Sequence, residues 1–253
     1  MVILRVVLLI LAAFAQPLAG LWPEFVGIER EVGDVVEPYR TALVPAGWAF
    51  SIWTLIFIGN LIFVADHTRA PRRQGMAPLG WLAAGVFAGN TAWVWYQPTH
   101  GPGLDSFALL EVILVLALAA ALLSRRAARP DLLARTGLAS LDLLAGWVTV
   151  ASAAGLSLAL NYDGWAEVGR QDTRGVLPVL FAWLPIAWAL TFALRSWAYA
   201  AAIVWGLFAV AMANRFDPTY ALGVGAVATS FLGLTAFAKR RGPLLAKPSA
   251  AAA

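Results

Sequence analysis

The chain has 253 residues, of which 61% are hydrophobic and 13% charged, and its mean hydropathy is +0.75. A soluble domain carries about 25% charged residues, so the composition excludes an ordinary water-soluble globule and makes the lipid bilayer its first partner. With no cysteine and two histidines, disulfides, thiolate chemistry, Cys-based metal sites and multi-haem carriage are excluded as well.

A helical crossing needs about 20 apolar residues. Such segments occur at about 3–20, 45–65, 78–97, 104–124, 138–160, 177–194, 197–213 and 218–238. The expected fold class is therefore all-α, a polytopic membrane bundle of about eight helices. Met1 to Ala15, with Arg5 and an Ala13-Phe14-Ala15 stretch, has the outline of a signal peptide. The apolar character continues through Gln16 to Gly20, so it is read as a retained first helix. Pro45, Pro78, Pro178 and Pro218 fall at or near first-turn positions, where the missing N–H costs nothing, and Asp217 can cap the last helix. Pro185 lies inside the sixth segment and is expected to kink it.

The loops give the orientation. Arg69, Arg72 and Arg73, then Arg125, Arg126, Arg129 and Arg135, then Arg195, then Lys239, Arg240, Arg241 and Lys247 fall on one side. The other side has fewer arginines, diluted by acidic residues. The positive-inside rule puts both termini in the cytoplasm and accounts for the net charge of +4 without nucleic acid; a bacterial inner membrane is the expected location. The outer loop at about 21–44 is either a lid over the bundle mouth or a solvated connector. A second outer loop covers 162–176, and the tail 242–253 is expected to be disordered.

Among the twelve tryptophans, Trp22, Trp48, Trp93, Trp95 and Trp165 fall near the outer interface and Trp81 and Trp197 near the inner one, as a belt requires. Trp53, Trp147, Trp188 and Trp205 lie deeper, either as packing or as walls of a pocket. Glu111, about two turns into the fourth helix, is expected to face the bundle interior, protonated or hydrogen-bonded, because an ionised carboxylate there costs around 2.5–3.5 kcal/mol. Asn60 and Asn90 are expected to point inward. Asp142 is placed in the first turn of the fifth helix, where the macrodipole favours an anion. Gly85 to Gly89 is a GxxxG that permits close helix contact. His67 and His100 are assigned to loops. No Walker loop, HExxH, GxSxG or paired carboxylates occur, which argues against an ATPase, a protease or a metal-driven enzyme.

The run Pro45-Ala46-Gly47-Trp48-Ala49-Phe50-Ser51-Ile52-Trp53-Thr54 resembles the opening of helix two in the tryptophan-rich sensory protein, or translocator, family. Asn90-Thr91-Ala92-Trp93 is similar to that family's Asn-x-x-Trp on helix three. Trp147-Val148-Thr149-Val150-Ala151-Ser152 resembles its Trp-x-x-x-Ala-Thr on helix five. The matches come in family order. They imply a five-helix translocator-like core at 1–161, followed by three additional transmembrane helices at 177–241. They also imply a pocket that takes a tetrapyrrole such as protoporphyrin, or a sterol-like lipid. Carried over by position, its ligand-binding residues are Trp48, Phe50, Trp53, Asn90, Trp93, Trp147 and Ser152. Gly155 departs from the family's Asn, and Trp48 and Trp53 stand one residue closer than in compact members.

Two functions follow as expectations. The first is a ligand-binding sensor or carrier, as monomer or homodimer, with a tetrapyrrole as its ligand and no certain cofactor. The second is a structural or assembly subunit of a larger, pigment-bearing membrane complex, photosynthetic complexes included. An ion-coupled transporter would lean on Glu111, but no two-fold repeat of hydropathy is evident. An enzymatic role, light-dependent porphyrin breakdown, is implied by the resemblance alone.

Overall fold

The computed structural model describes residues 1–20 and 32–241. The first part of the outer loop, with Trp22, and the tail 242–253 lie outside the described residues. The chain is an all-α helix bundle: α1 (Val2–Ala19), α2 (Val32–Val36), α3 (Ile52–Arg69), α4 (Met76–His100), α5 (Leu104–Ser124), α6 (Leu132–Tyr162), α7 (Leu177–Leu194), α8 (Trp197–Ala213) and α9 (Pro218–Arg240). Short 3-10 turns at Glu37–Tyr39 and Gly47–Ser51 precede α3. Six helices among the described residues are long and apolar enough to cross a membrane: α1, α3 with its preceding turn, α5, α6, α7 and α9. With 17 residues, α8 is apolar but shorter.

Helices α1, α3, α6, α5 and α4 pack in that order into a closed ring, with α4 returning to α1. On its other side α6 carries α8, which packs on α9, and α9 packs on α7. Small residues let α6 serve both groups. A Cβ on Gly137 would stand 2.8 Å from the Phe63 Cα of α3, and one on Gly146 2.4 Å from the Tyr199 carbonyl of α8. Gly89 meets Ile113 of α5 in the same way, so the GxxxG stretch closes the α4–α5 contact.

Contacts define two ends. At one, the 70–75 and 125–131 loops meet through the Ala128 N–H on the Gln74 carbonyl and through Arg69 with Asp131, 2.8 Å. Lys239 donates to the Arg195 carbonyl at the same basic end. At the other, Arg170 pairs with Glu37, and Thr173 donates to Asp217.

Several boundaries differ from those expected. α6 starts at Leu132, not at about 138, because the Asp131 carboxylate accepts from the Ala134 N–H and caps it. Asp142 is therefore not in a first turn. It is buried three turns in, held by Arg125 at 2.5 Å and by the Ser196 hydroxyl at 2.6 Å. Neither histidine is in a loop. His100 ends α4, and His67 is fully buried in the last turn of α3. α3 begins at Ile52, since Pro45 is followed by an extended residue and then the 3-10 turn. Pro185 does lie inside α7.

Candidate ligand-binding site

The Gly47–Ser51 turn places alternate side chains on opposite partners. Trp48 meets the Trp205 ring edge-on at 5.0 Å and lies 6.0 Å from Phe208, both on α8. Phe50 meets Trp147 of α6 edge-on at 5.7 Å. Between them Ala49 is buried, and its carbonyl accepts from the Trp205 indole N–H at 2.8 Å. Trp53, the second residue of α3, stacks on Phe57 at 5.4 Å. Edge-on and offset rings of this kind contribute roughly 0.5–1.5 kcal/mol each beyond burial. Trp147 is 2% exposed, while Trp48 and Phe50 keep 46% and 44% of their surface. The cluster thus has a fixed floor and open faces.

Asn90 is not part of this cluster. It lies where α1, α3 and α4 meet, and its amide donates to Gln16 Oε1 at 3.1 Å. The Asn60 amide reaches the same oxygen at 3.5 Å. All three are buried, as the cost of a polar group facing hydrocarbon demands. In the sequence Gln16 stands within an apolar run and draws no attention. The signal was its position, three residues before the end of a helix that otherwise offers only Arg5 as a polar side chain.

Ser152 lies apart again, donating to Glu111 Oε1 at 2.5 Å across the α5–α6 contact. Trp93 is half-buried against the core. Of the seven expected ligand-binding residues, Trp48, Phe50, Trp53 and Trp147 gather around one turn. Asn90 joins an amide centre and Ser152 a carboxylate. A groove of about 590 Å³ lies elsewhere, between α1 and α4, with Leu8, Leu11, Trp81, Gly85, Ala88 and Trp95 among its walls.

The basic end holds a second polar network that sequence reasoning missed. The Arg5 Nε–H donates to His67 Nε2 at 3.1 Å, and its Nη2 donates to the Pro71 carbonyl at 2.7 Å. Asp66 accepts from Arg73, one bond being 2.8 Å, and from Arg69 at 3.0 Å. The Asp66 bond raises the Arg73 guanidinium above its ordinary value. Gly80 leaves the space: a Cβ there would stand 2.4 Å from His67 Cε1 and 2.8 Å from Arg5 Cδ. Among the described residues no three His, Asp or Glu side chains group as metal ligands.

The family model described as TSPO-like protein matches residues 2–238, which takes in α7, α8 and α9 as well as the five-helix ring. Neither the curated proteins nor the solved structures give a match to the chain.

Proposed function

Because the chain belongs to the TSPO-like protein family, and is an integral membrane protein of the ligand-binding sensor or transporter kind, we propose that its ligand is a flat, largely apolar molecule of the tetrapyrrole or sterol class, held at the aromatic turn. The observation that carries this reading is the meeting of Phe50 and Trp147, which joins two of the three sequence stretches that resemble the translocator family. Broad aromatic faces with few polar groups suit a macrocycle, which gains by stacking and dispersion rather than by ion pairing. Trp48 and Trp53 stand two and three residues from Phe50, on the same turn and at the helix start, and would add further aromatic surface for such a ring.

Protoporphyrin titrated into detergent-solubilised protein tests the reading through quenching of tryptophan fluorescence. Saturable quenching is expected. Trp53→Ala and Trp147→Ala are each expected to weaken it by about tenfold, since roughly 1.4 kcal/mol is one decade of affinity. Trp188→Ala is the control, because that indole bonds Ser230 between α7 and α9, away from the turn. Equal effects from all three, or quenching that never saturates, would remove the site and leave an assembly subunit as the better reading.

A further inference from the structure

Residues 39–51 carry no regular helix except two short 3-10 turns, yet Thr41, Ala42, Leu43 and Val44 are buried. Buried backbone outside regular structure must find partners one group at a time. Here a large share of them come from the C-terminal helices. The Asn214 amide, just beyond α8, donates to the Ala42 carbonyl at 2.8 Å, and the Tyr220 hydroxyl of α9 reaches the same carbonyl at 3.4 Å. The Ala46 N–H donates to the Ala209 carbonyl at 3.2 Å. The Trp205 indole donates to the Ala49 carbonyl, and its ring supports Trp48. Four separate groups on α8, on α9 and on Asn214 at the end of α8 thus act on the eight residues 42–49. The ring helices supply fewer ties. Asn161 of α6 donates to the Tyr39 carbonyl at 3.2 Å, and Ser157 shares a bond with Thr41 at 2.7 Å.

We propose that Trp205, Asn214 and Tyr220 are positioning residues for the aromatic turn, so that α8 and α9 act as a clamp that sets how Trp48 and Phe50 are presented to the ligand. The clamp rests on the ligand reading above only for its purpose, since its mechanical part is independent of any ligand. Trp205 fixes the turn at its centre. Asn214 and Tyr220 fix the segment that leads into it, from the side opposite the ring. Trp48 is the residue most directly affected, because its packing partners among the aromatic contacts, Trp205 and Phe208, are both on α8. Phe50 faces α6 instead, so loosening the clamp shifts one edge of the aromatic surface relative to the other.

Hydrogen–deuterium exchange of the full-length protein in detergent tests the clamp, with Trp205→Phe, Asn214→Asp and Tyr220→Phe. Each variant removes a donor and keeps most of the side chain's volume. Peptides covering 41–51 are expected to exchange roughly tenfold faster in Trp205→Phe and Asn214→Asp, the scale of one lost hydrogen bond, and less so in Tyr220→Phe. Peptides from α4 and α5 are expected to be unchanged. Unchanged exchange at 41–51, or a rise shared by α4 and α5, would overturn the clamp and make α8 and α9 general scaffold. Protoporphyrin titration of the same variants separates the two proposals. If the unsubstituted protein never shows saturable quenching, the ligand reading falls and the exchange result still decides the clamp. If it does saturate, Trp205→Phe and Asn214→Asp are expected to weaken affinity several-fold. Affinity unchanged beside faster exchange would overturn the positioning role.

Discussion

Glu111 shows how a single charged residue is accommodated in an apolar helix. Its Oε1 accepts from the Ser152 hydroxyl, and the amide oxygen of glutamine can accept the same bond. Glu111→Gln is therefore expected to give folded protein in normal yield, measured by size-exclusion chromatography in detergent. Glu111→Lys places an ammonium with no opposing carboxylate in an apolar helix contact, where a charge is costly, and is expected to cut that yield sharply. Equal yields would mean that the side chain does not depend on its α6 partner. Arg5 is handled differently: it is 4% exposed and bonded to an uncharged imidazole nitrogen and a carbonyl. The sequence showed Arg5 only as one basic residue at an N-terminus, since neither the burial of His67 nor the space left by Gly80 can be read from spacing along one chain. The inward placement of Asn60 and Asn90 was legible, because hydrocarbon forbids the alternative. Their common partner Gln16 was not, because it stands alone in an apolar stretch.

The helices themselves were largely legible, and their ends less so. Runs of apolar residues between arginine-bearing loops fix where α5, α7, α8 and α9 lie to within a few residues, because hydrocarbon thickness sets the length. The start of α6 was misplaced by the charged stretch at 125–135. That stretch reads as a loop until Asp131 is recognised as a cap for the Ala134 N–H. Asp217 caps α9 in the same way through the Tyr220 N–H, as the sequence suggested. Both carboxyls are held below their ordinary value of 3.8. For Asp131 the Ala134 N–H is the main cause and Arg69 adds to it, while for Asp217 it is the Tyr220 N–H and then Thr173. A carboxyl with a depressed folded value stabilises above its unfolded value and loses that contribution as pH falls through the folded one. The thermal midpoint is accordingly expected to drop as pH is lowered below about 3.8. The drop should be shallower in an Asp131→Asn, Asp217→Asn double variant, which keeps both caps without a titrating group. Parallel curves for the two proteins would assign acid sensitivity elsewhere.

At the scale of the whole molecule, the arginine-rich loops do collect at one end of the bundle, as charge asymmetry required. Eight crossings with both termini in the cytoplasm need α4 and α8 to span along with the six longer or more apolar helices. The absence of cysteine makes the test clean. Single cysteines at Ala70 and Ala128 are expected to react with an impermeant maleimide only from the cytoplasmic face of oriented vesicles, and one at Gly169 only from the other face. A Cβ at Gly169 meets nothing within 4 Å, so the substitution leaves the fold intact. Labelling of Ala70→Cys and Gly169→Cys from one side would refute the topology. The sequence resemblance pointed to a five-helix unit followed by three helices, and the family match runs through both. The structure supplies a physical reason to treat the two together, since α6 packs on α3 and α5 in the ring and on α8 outside it.

The tie between Ala42 and Tyr220 spans 178 residues, and that separation has a consequence in time. A ribosome adding roughly 5–20 residues per second needs about 10–35 s to move from one to the other. The ring helices α3 to α6 are made during that interval, while the stretch that carries Trp48 still lacks its later-made partners on α8 and α9. The newly inserted chain therefore covers its aromatic turn in stages, first by Trp147 and then by Trp205, and α9 adds the tie to Ala42 after both.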